Sequence, residues 1–177
     1  LHHYNLAADQ RKTLAQIVAF AKSEHPDAIL IAGDIYDTPV PSAEAVSVFD
    51  AFLSALCEIE PQIAVMIIAG NHDSARRIDF ASSILAKHEV YITGLPPMQE
   101  GETIRRVTLA DGYGEVDFYL LPFVKPGYVR KLFDEEIKGY DMAVRRLIER
   151  EEIDPARRCV ILSHQFYTAG GKEPATC

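Results

Sequence analysis

The chain has 177 residues, 48% of them hydrophobic and 25% charged, which suits one soluble domain with a substantial core and excludes two. A formal charge of −8 excludes nucleic-acid binding through a broad basic surface, although carboxylates that ligate a metal would themselves add to that count. No apolar run approaches the roughly 20 residues of a membrane span, so a membrane protein is not expected.

Residues 9–24 read as a helix, because Leu14, Ile17, Val18 and Ala21 recur at helical spacing and Pro26 stops it. Ala28-Ile29-Leu30-Ile31-Ala32 is short and wholly apolar, the pattern of a central parallel strand buried on both faces. The plan then repeats. Ser42 is expected to cap a helix with Glu44 in its first turn and Val46, Phe49, Phe52, Leu53 and Leu56 as its apolar stripe, and Pro61 breaks it. Residues 63–69 are the second buried strand. A third helix is predicted over residues 77–87 and a short strand at Val90-Tyr91-Ile92. Two β-rich runs, 103–109 and 115–121, flank Asp111-Gly112 and predict a hairpin. Residues 128–152 are charged and helix-favouring, with an interruption at Gly139. Residues 159–164 form a third buried strand ending in His164, and 168–177 read as loop. This order implies an α/β sheet with helices on both faces, whose ligands sit beyond the carboxyl ends of the strands.

Those strand ends carry unusual residues. Gly33-Asp34-Ile35-Tyr36-Asp37 follows the first strand, Gly70-Asn71-His72-Asp73 the second, and Ser163-His164 closes the third. All three are expected at one edge of a single sheet. A carboxylate at Asp34, an amide oxygen at Asn71 and an imidazole at His164 make a mixed oxygen and nitrogen donor set. Such a set favours Mn²⁺, Fe²⁺ or Zn²⁺ over Ca²⁺. The glycine before each ligand lets the backbone turn tightly off its strand.

Gly33-Asp34 and Gly70-Asn71-His72-Asp73 resemble the second and third signature motifs of calcineurin-like phosphoesterases, and His164 resembles the histidine of the fourth. Within that superfamily, Ala32-Gly33-Asp34-Ile35-Tyr36-Asp37-Thr38 and Ala69-Gly70-Asn71-His72-Asp73-Ser74 are similar to SbcD-type DNA exonucleases, the nuclease subunits of bacterial SbcCD complexes. The resemblance implies a sheet sandwich flanked by helices, forming one catalytic domain over residues 1–177. It implies two divalent metal ions, most readily Mn²⁺, with Asp34 bridging both and Asn71 and His164 each binding one of them. His72 would face the scissile phosphate and protonate the leaving oxygen, with Asp37 hydrogen-bonding and orienting it. An imidazole polarised by a carboxylate suits that task near neutral pH. The implied substrates are DNA duplex ends and hairpins. The implied partners are an SbcC-like coiled-coil ATPase and a second copy of the chain.

The family's Asp-x-His motif is expected before Leu1 and its Gly-His-x-His motif after Cys177. The chain therefore reads as incomplete at both ends and is expected not to hold both metals in catalytic geometry by itself. It opens without an initiator Met, so Leu1 is not expected to be the natural start. A phosphoesterase acting on small or cyclic phosphoesters, or a degenerate scaffold, remain open alternatives.

The other polar residues carry simpler expectations. Asp73 reads as structural, and Asp37, before Thr38-Pro39, also suits a plain turn residue. His25 and His88 sit at helix C-termini, and His2 and His3 read as surface residues. The paired arginines at 105–106, 145–146 and 157–158 read as solvated, whereas Arg76-Arg77, just past the second motif, is placed to reach a DNA phosphate. Tyr167 either stacks on a base or finishes its strand. Cys57, Cys159 and Cys177 form no CxxC pair, which points to a reducing cytoplasm, with Cys57 and Cys159 as small core residues.

Overall fold

A computed structural model describes residues 6–167. His2, His3, Cys177 and the 168–177 loop lie outside the described residues.

Helix α1 (Ala7–Glu24), strand β1 (Ala28–Ala32), helix α2 (Ala43–Cys57) and strand β2 (Ala64–Ile68) follow the expected order. The Ser42 hydroxyl accepts the Ala45 N–H at 3.1 Å and so starts α2 as its sequence requires. Short turns α3 (Ala75–Ile78) and α4 (Ser82–Leu85) and strand β3 (Val90–Thr93) complete this half. The helix expected over 77–87 is therefore broken: Ala81 adopts a left-handed φ of 61°, which no α-helix can contain. The hairpin forms from β4 (Arg105–Asp111) and β5 (Gly114–Leu121), and its two turn residues are Gly112 and Tyr113. Beyond it, α5 (Pro126–Val129) is a single turn, α6 (Gly139–Arg150) starts rather than breaks at Gly139, and β6 (Arg158–Ser163) ends the series.

The strands do not form one sheet. β1, β2 and β3 are parallel in one, and β4, β5 and β6 form a second, with β6 parallel to β5. The expected single sheet edge is thus an edge of a two-sheet sandwich. Strand alternation explains the layers. Val65 and Ile67 of β2 pack towards Phe52 and Leu56 of α2 and Val18 of α1. Ala64, Met66 and Ile68, on the opposite face, pack against Val107, Leu120 and Leu162 of the second sheet. Tyr119 and Leu121 turn outward from that sheet to cover Val129, Ala143 and Leu147 of α5 and α6. The order is helices, sheet, sheet, helices.

β2 is buried along its whole length, and β5 on both faces over Tyr119, Leu120 and Leu121. β1 has β2 as its one strand neighbour among the described residues, and Leu30 is 38% exposed. β6 is likewise an outer strand with Leu162 as its one buried residue, and Cys159 is exposed rather than in the core. An all-apolar run reports that a strand is covered, but not how many neighbours cover it. No helix among the described residues is long and apolar enough to cross a membrane.

Most of the paired arginines are held rather than merely solvated. Arg157 binds Asp117, which is 1% exposed, at 2.6 Å and Glu115 at 2.9 Å. Arg158 clamps Asp111 at 2.7 and 3.0 Å. The Arg158 hydrogen bond first, and then the Tyr113 N–H, hold the Asp111 carboxyl down at about 2. A depressed carboxyl stabilises the fold above the ordinary carboxylate range, about pH 4, and loses that contribution as pH falls through its folded value. Asp111→Asn should therefore show a Tm deficit at neutral pH that closes as the acid limb approaches pH 2, measured by circular dichroism melts across pH. Leu120 is fully buried between the sheets, and Leu120→Ala should cost about 2–5 kcal/mol in a urea titration.

Candidate metal centre at the sandwich edge

The carboxyl ends of β1, β2, β5 and β6 meet at one edge. Ala32 and Ile68 are in register across the first sheet, and Leu121 and Ser163 across the second. Two contacts tie the sheets there: the Phe123 N–H donates to the Ala69 carbonyl at 2.9 Å, and His164 Nδ1 lies 2.7 Å from the Ala32 carbonyl. His164 thus crosses from the second sheet to the first, and Phe123 stands edge-on to its ring at 6.2 Å.

The loops leaving β1 and β2 are bound to each other through Asp73. Its Oδ2 accepts the N–H groups of Gly70 at 2.8 Å and Ile35 at 3.1 Å, and its Oδ1 accepts that of Tyr36 at 2.9 Å. Asp73 is 9% exposed, so these are charge-assisted bonds shielded from water. This agrees with its reading as structural. Two glycines make the approach possible. A Cβ on Gly33, whose φ is +89°, would lie 2.5 Å from His164 Nδ1 and 2.8 Å from the Gly70 Cα. A Cβ on Gly70 would collide with the Asp34 backbone and carboxylate. Asp34 itself sits at φ +49°, a conformation that aspartate tolerates better than most residues.

Asp34, Asn71 and His164 are brought together as the sequence predicts. His164 Nε2 is 2.9 Å from Asn71 Oδ1 and 3.5 Å from Asp34 Oδ2. The other carboxylate oxygen, Asp34 Oδ1, accepts the His72 N–H at 3.0 Å. A carbonyl cannot donate, so the contact with Ala32 requires the proton of a neutral His164 on Nδ1. Its Nε2 lone pair then faces two oxygen acceptors. Three converging lone pairs hold either a proton on Nε2 or a cation, and the mixed donor set fits a first-row divalent ion. The second ring nitrogen bound to a carbonyl is the usual orienting arrangement of a metal-ligating histidine. Among the described residues, no three His, Cys, Asp or Glu side chains converge in this way, so the Asn71 amide is essential to the set.

His72 stands beside this group, with its side chain 49% exposed. Its Nδ1 is 3.0 Å from the main-chain carbonyl of Asp37, whereas the Asp37 carboxylate is 4.0 Å away and fully exposed. This corrects the expectation for Asp37: the hydrogen-bond partner of His72 is its backbone. The same logic places the His72 proton on Nδ1 and leaves Nε2 available. Tyr167, 65% exposed, shares a 2.6 Å hydrogen bond with Ser163. Sequence reasoning missed the carbonyls of Ala32 and Asp37 and the ring of Phe123. The carbonyls carry no side-chain signal at all, and Phe123 differs in nothing from a core aromatic until the sheets are stacked.

Asp73→Ala should destabilise the protein by about 3 kcal/mol or more, because three shielded N–H groups lose their acceptor. Asp37→Ala should stay within about 0.5 kcal/mol of the parent, since it removes only an exposed carboxylate. In that variant the ¹⁵N shifts of His72 should still report a proton on Nδ1, because the orienting carbonyl is retained.

Comparison with known proteins bears on this geometry. The calcineurin-like phosphoesterase family matches residues 1–172. The SbcD subunit of nuclease SbcCD from Staphylococcus saprophyticus subsp. saprophyticus is 32% identical over 174 residues, which is 96% of this chain. Its counterpart from Staphylococcus epidermidis is 31% identical over 175 residues, or 97% of the chain. The chain spans 44% of the length of each of these relatives. With a match over nearly its full length and the two motif loops joined at one sheet edge, the chain belongs to the calcineurin-like phosphoesterase family.

Proposed function

We propose that this chain is the catalytic core of a metal-dependent DNA phosphodiesterase, a nuclease subunit of the SbcCD type. Membership of a metallophosphoesterase family implies divalent metal ions. The finer reading is two ions, most readily Mn²⁺, which Asp34, Asn71 and His164 would help to hold. The single observation that carries the reading is the convergence of Asp34 Oδ2, Asn71 Oδ1 and His164 Nε2 beside an available His72 Nε2. The likeness to relatives named as SbcCD nuclease subunits supports DNA as the substrate.

Divalent ions would supply charge neutralisation at the phosphoryl oxygens and a more acidic attacking water. The chain's own residues do the rest. Asp34 and His164 are held from opposite sheets, so a phosphate would meet a preset donor array. His72, held through Nδ1–H by the Asp37 carbonyl, would take up a second proton on Nε2 from solvent and pass it to the leaving oxygen as the P–O bond breaks, returning to the neutral Nδ1–H form. The proposal extends to one catalytic domain in a cytoplasmic complex with an SbcC-like ATPase and a second copy of the chain.

Linear duplex DNA should be digested in Mn²⁺ by the full-length protein and spared in EDTA. His72→Ala should slow this by about 100- to 10,000-fold, the usual span for a lost general acid. Bis-p-nitrophenyl phosphate alone does not discriminate, since any phosphoesterase of this family can take it. Intact linear duplex, alongside cleavage of a small cyclic diester, would replace the nuclease reading with that of a small-molecule phosphoesterase.

A further inference from the structure

A cleft of about 830 Å³ opens at the same sandwich edge, beside the metal-ligand loops. Its walls come from three strand ends: Arg76 after β2, Pro97 and Met98 after β3, and Tyr128 and Lys131 after β5, with Arg105 at the start of β4. Arg76 lies four residues beyond His72, and Tyr128 five beyond the Phe123 that touches His164. The cleft is thus walled by segments that follow the metal-site loops in the chain, although Asp34, Asn71, His72 and His164 do not themselves line it.

Three cations line the cleft, Arg76, Arg105 and Lys131. The protein carries −8, and Arg145, Arg146, Arg157 and Arg158 are paired with Asp111, Asp117, Asp141, Glu115, Glu135 and Glu149. Arg76 and Lys131 are exposed and have no carboxylate partner among the described residues. Arg105 donates to the Ile92 carbonyl at 2.7 Å and lies 5.5 Å from the Tyr91 ring centre, a fixed cation with its charge unpaired. Lys125 adds a fourth positive charge at the rim, 5.9 Å from the centre of the Tyr128 ring. Two carboxylates also line the cleft, Glu100 and Glu102, but Glu102 is taken up by the N–H groups of Met98 and Gln99 at 2.7 and 3.1 Å.

We infer that this cleft binds the strand flanking the scissile phosphate. Arg76 and Lys131 contact backbone phosphates, and the wall of Tyr128, Pro97 and Met98 receives the adjoining nucleoside. This rests on the nuclease reading and deepens it. Unpaired cations facing an aromatic and apolar wall are what a single nucleic-acid strand requires, since phosphate contacts supply affinity and a π-face accepts any base. A small phosphoester, by contrast, would end at the metal centre and leave the cleft unused.

The test uses the full-length protein with Mn²⁺, a fluorescent single-stranded oligonucleotide and bis-p-nitrophenyl phosphate. Binding of the oligonucleotide is followed by anisotropy across a salt series. Arg76→Ala and Lys131→Ala should each flatten the dependence of log K on log salt by about one unit. Tyr128→Leu should weaken binding by about tenfold while leaving that slope intact. In hydrolysis, Arg76→Ala should raise the oligonucleotide KM with little change in kcat, and lose at least tenfold more kcat/KM on the oligonucleotide than on the small diester. Arg76→Lys should recover the salt slope, and Arg145→Ala, an exposed arginine on α6, should leave it unchanged. An unaltered slope in both cleft variants would overturn the inference. Equal losses on the two substrates would do the same, and would assign the cations to the metal centre. A parent protein that cleaves the small diester but neither binds nor cuts the oligonucleotide would defeat the nuclease reading itself, and this inference with it.

Discussion

The Asp73 carboxylate is the interaction on which the site depends. It joins the loop after β1 to the loop after β2 by accepting three main-chain N–H groups, out of reach of bulk water. Two loops that leave neighbouring parallel strands would otherwise expose those donors and drift apart. With them bound, Asp34 Oδ1 receives the His72 N–H, and Asp34, Asn71 and His72 become one rigid unit drawn from residues nearly forty positions apart. The aspartate in this motif thus serves geometry, fixing the loop that carries Asn71 and His72.

A second constraint follows from stacking two sheets rather than extending one. β2 is buried on both faces because α1 and α2 cover one side and the β4–β5–β6 sheet covers the other. The same stacking sets the strand ends of the two sheets side by side, so His164 can reach the Ala32 carbonyl and aim Nε2 at Asn71. Glycine at positions 33 and 70 is the steric condition for this closeness, since a methyl group at either would occupy the space of His164 or Asp34. Packing and donor geometry are here the same problem.

Charge is partitioned to match. The carboxylates of the hairpin and of α6 are matched to arginines on their own surfaces, which removes those cations from any role towards a ligand. Arg76, Arg105 and Lys131, with no carboxylate partner among the described residues, line the cleft at the sandwich edge. A net charge of −8 therefore says little about whether a phosphate is welcome at that edge, because potential is local and falls away within about 8–10 Å at ordinary salt.

Much of this was legible without coordinates. Apolar runs marked β1, β2 and β6, Ser42 marked the start of α2, and Asp34, Asn71, His72 and His164 stood out as polar residues at the ends of apolar strands. These follow from local rules, since strand burial, capping and tight turns are written into neighbouring residues. Other features needed the tertiary structure. The family resemblance implied the two-sheet sandwich that is found, but the strand patterns alone pointed to a single sheet, because an apolar strand satisfies its burial equally well in either. The break at Ala81 was hidden, since alanine favours a helix and its left-handed conformation is imposed by what surrounds it. The partner of His72 proved to be the Asp37 carbonyl and that of His164 the Ala32 carbonyl, and a main-chain oxygen has no signature in sequence. The sequence by itself determined which side chains can do chemistry, because that is a property of residue type. Only the tertiary structure decided which of them meet and which ring nitrogen faces the site, because those depend on hydrogen bonds between distant backbones.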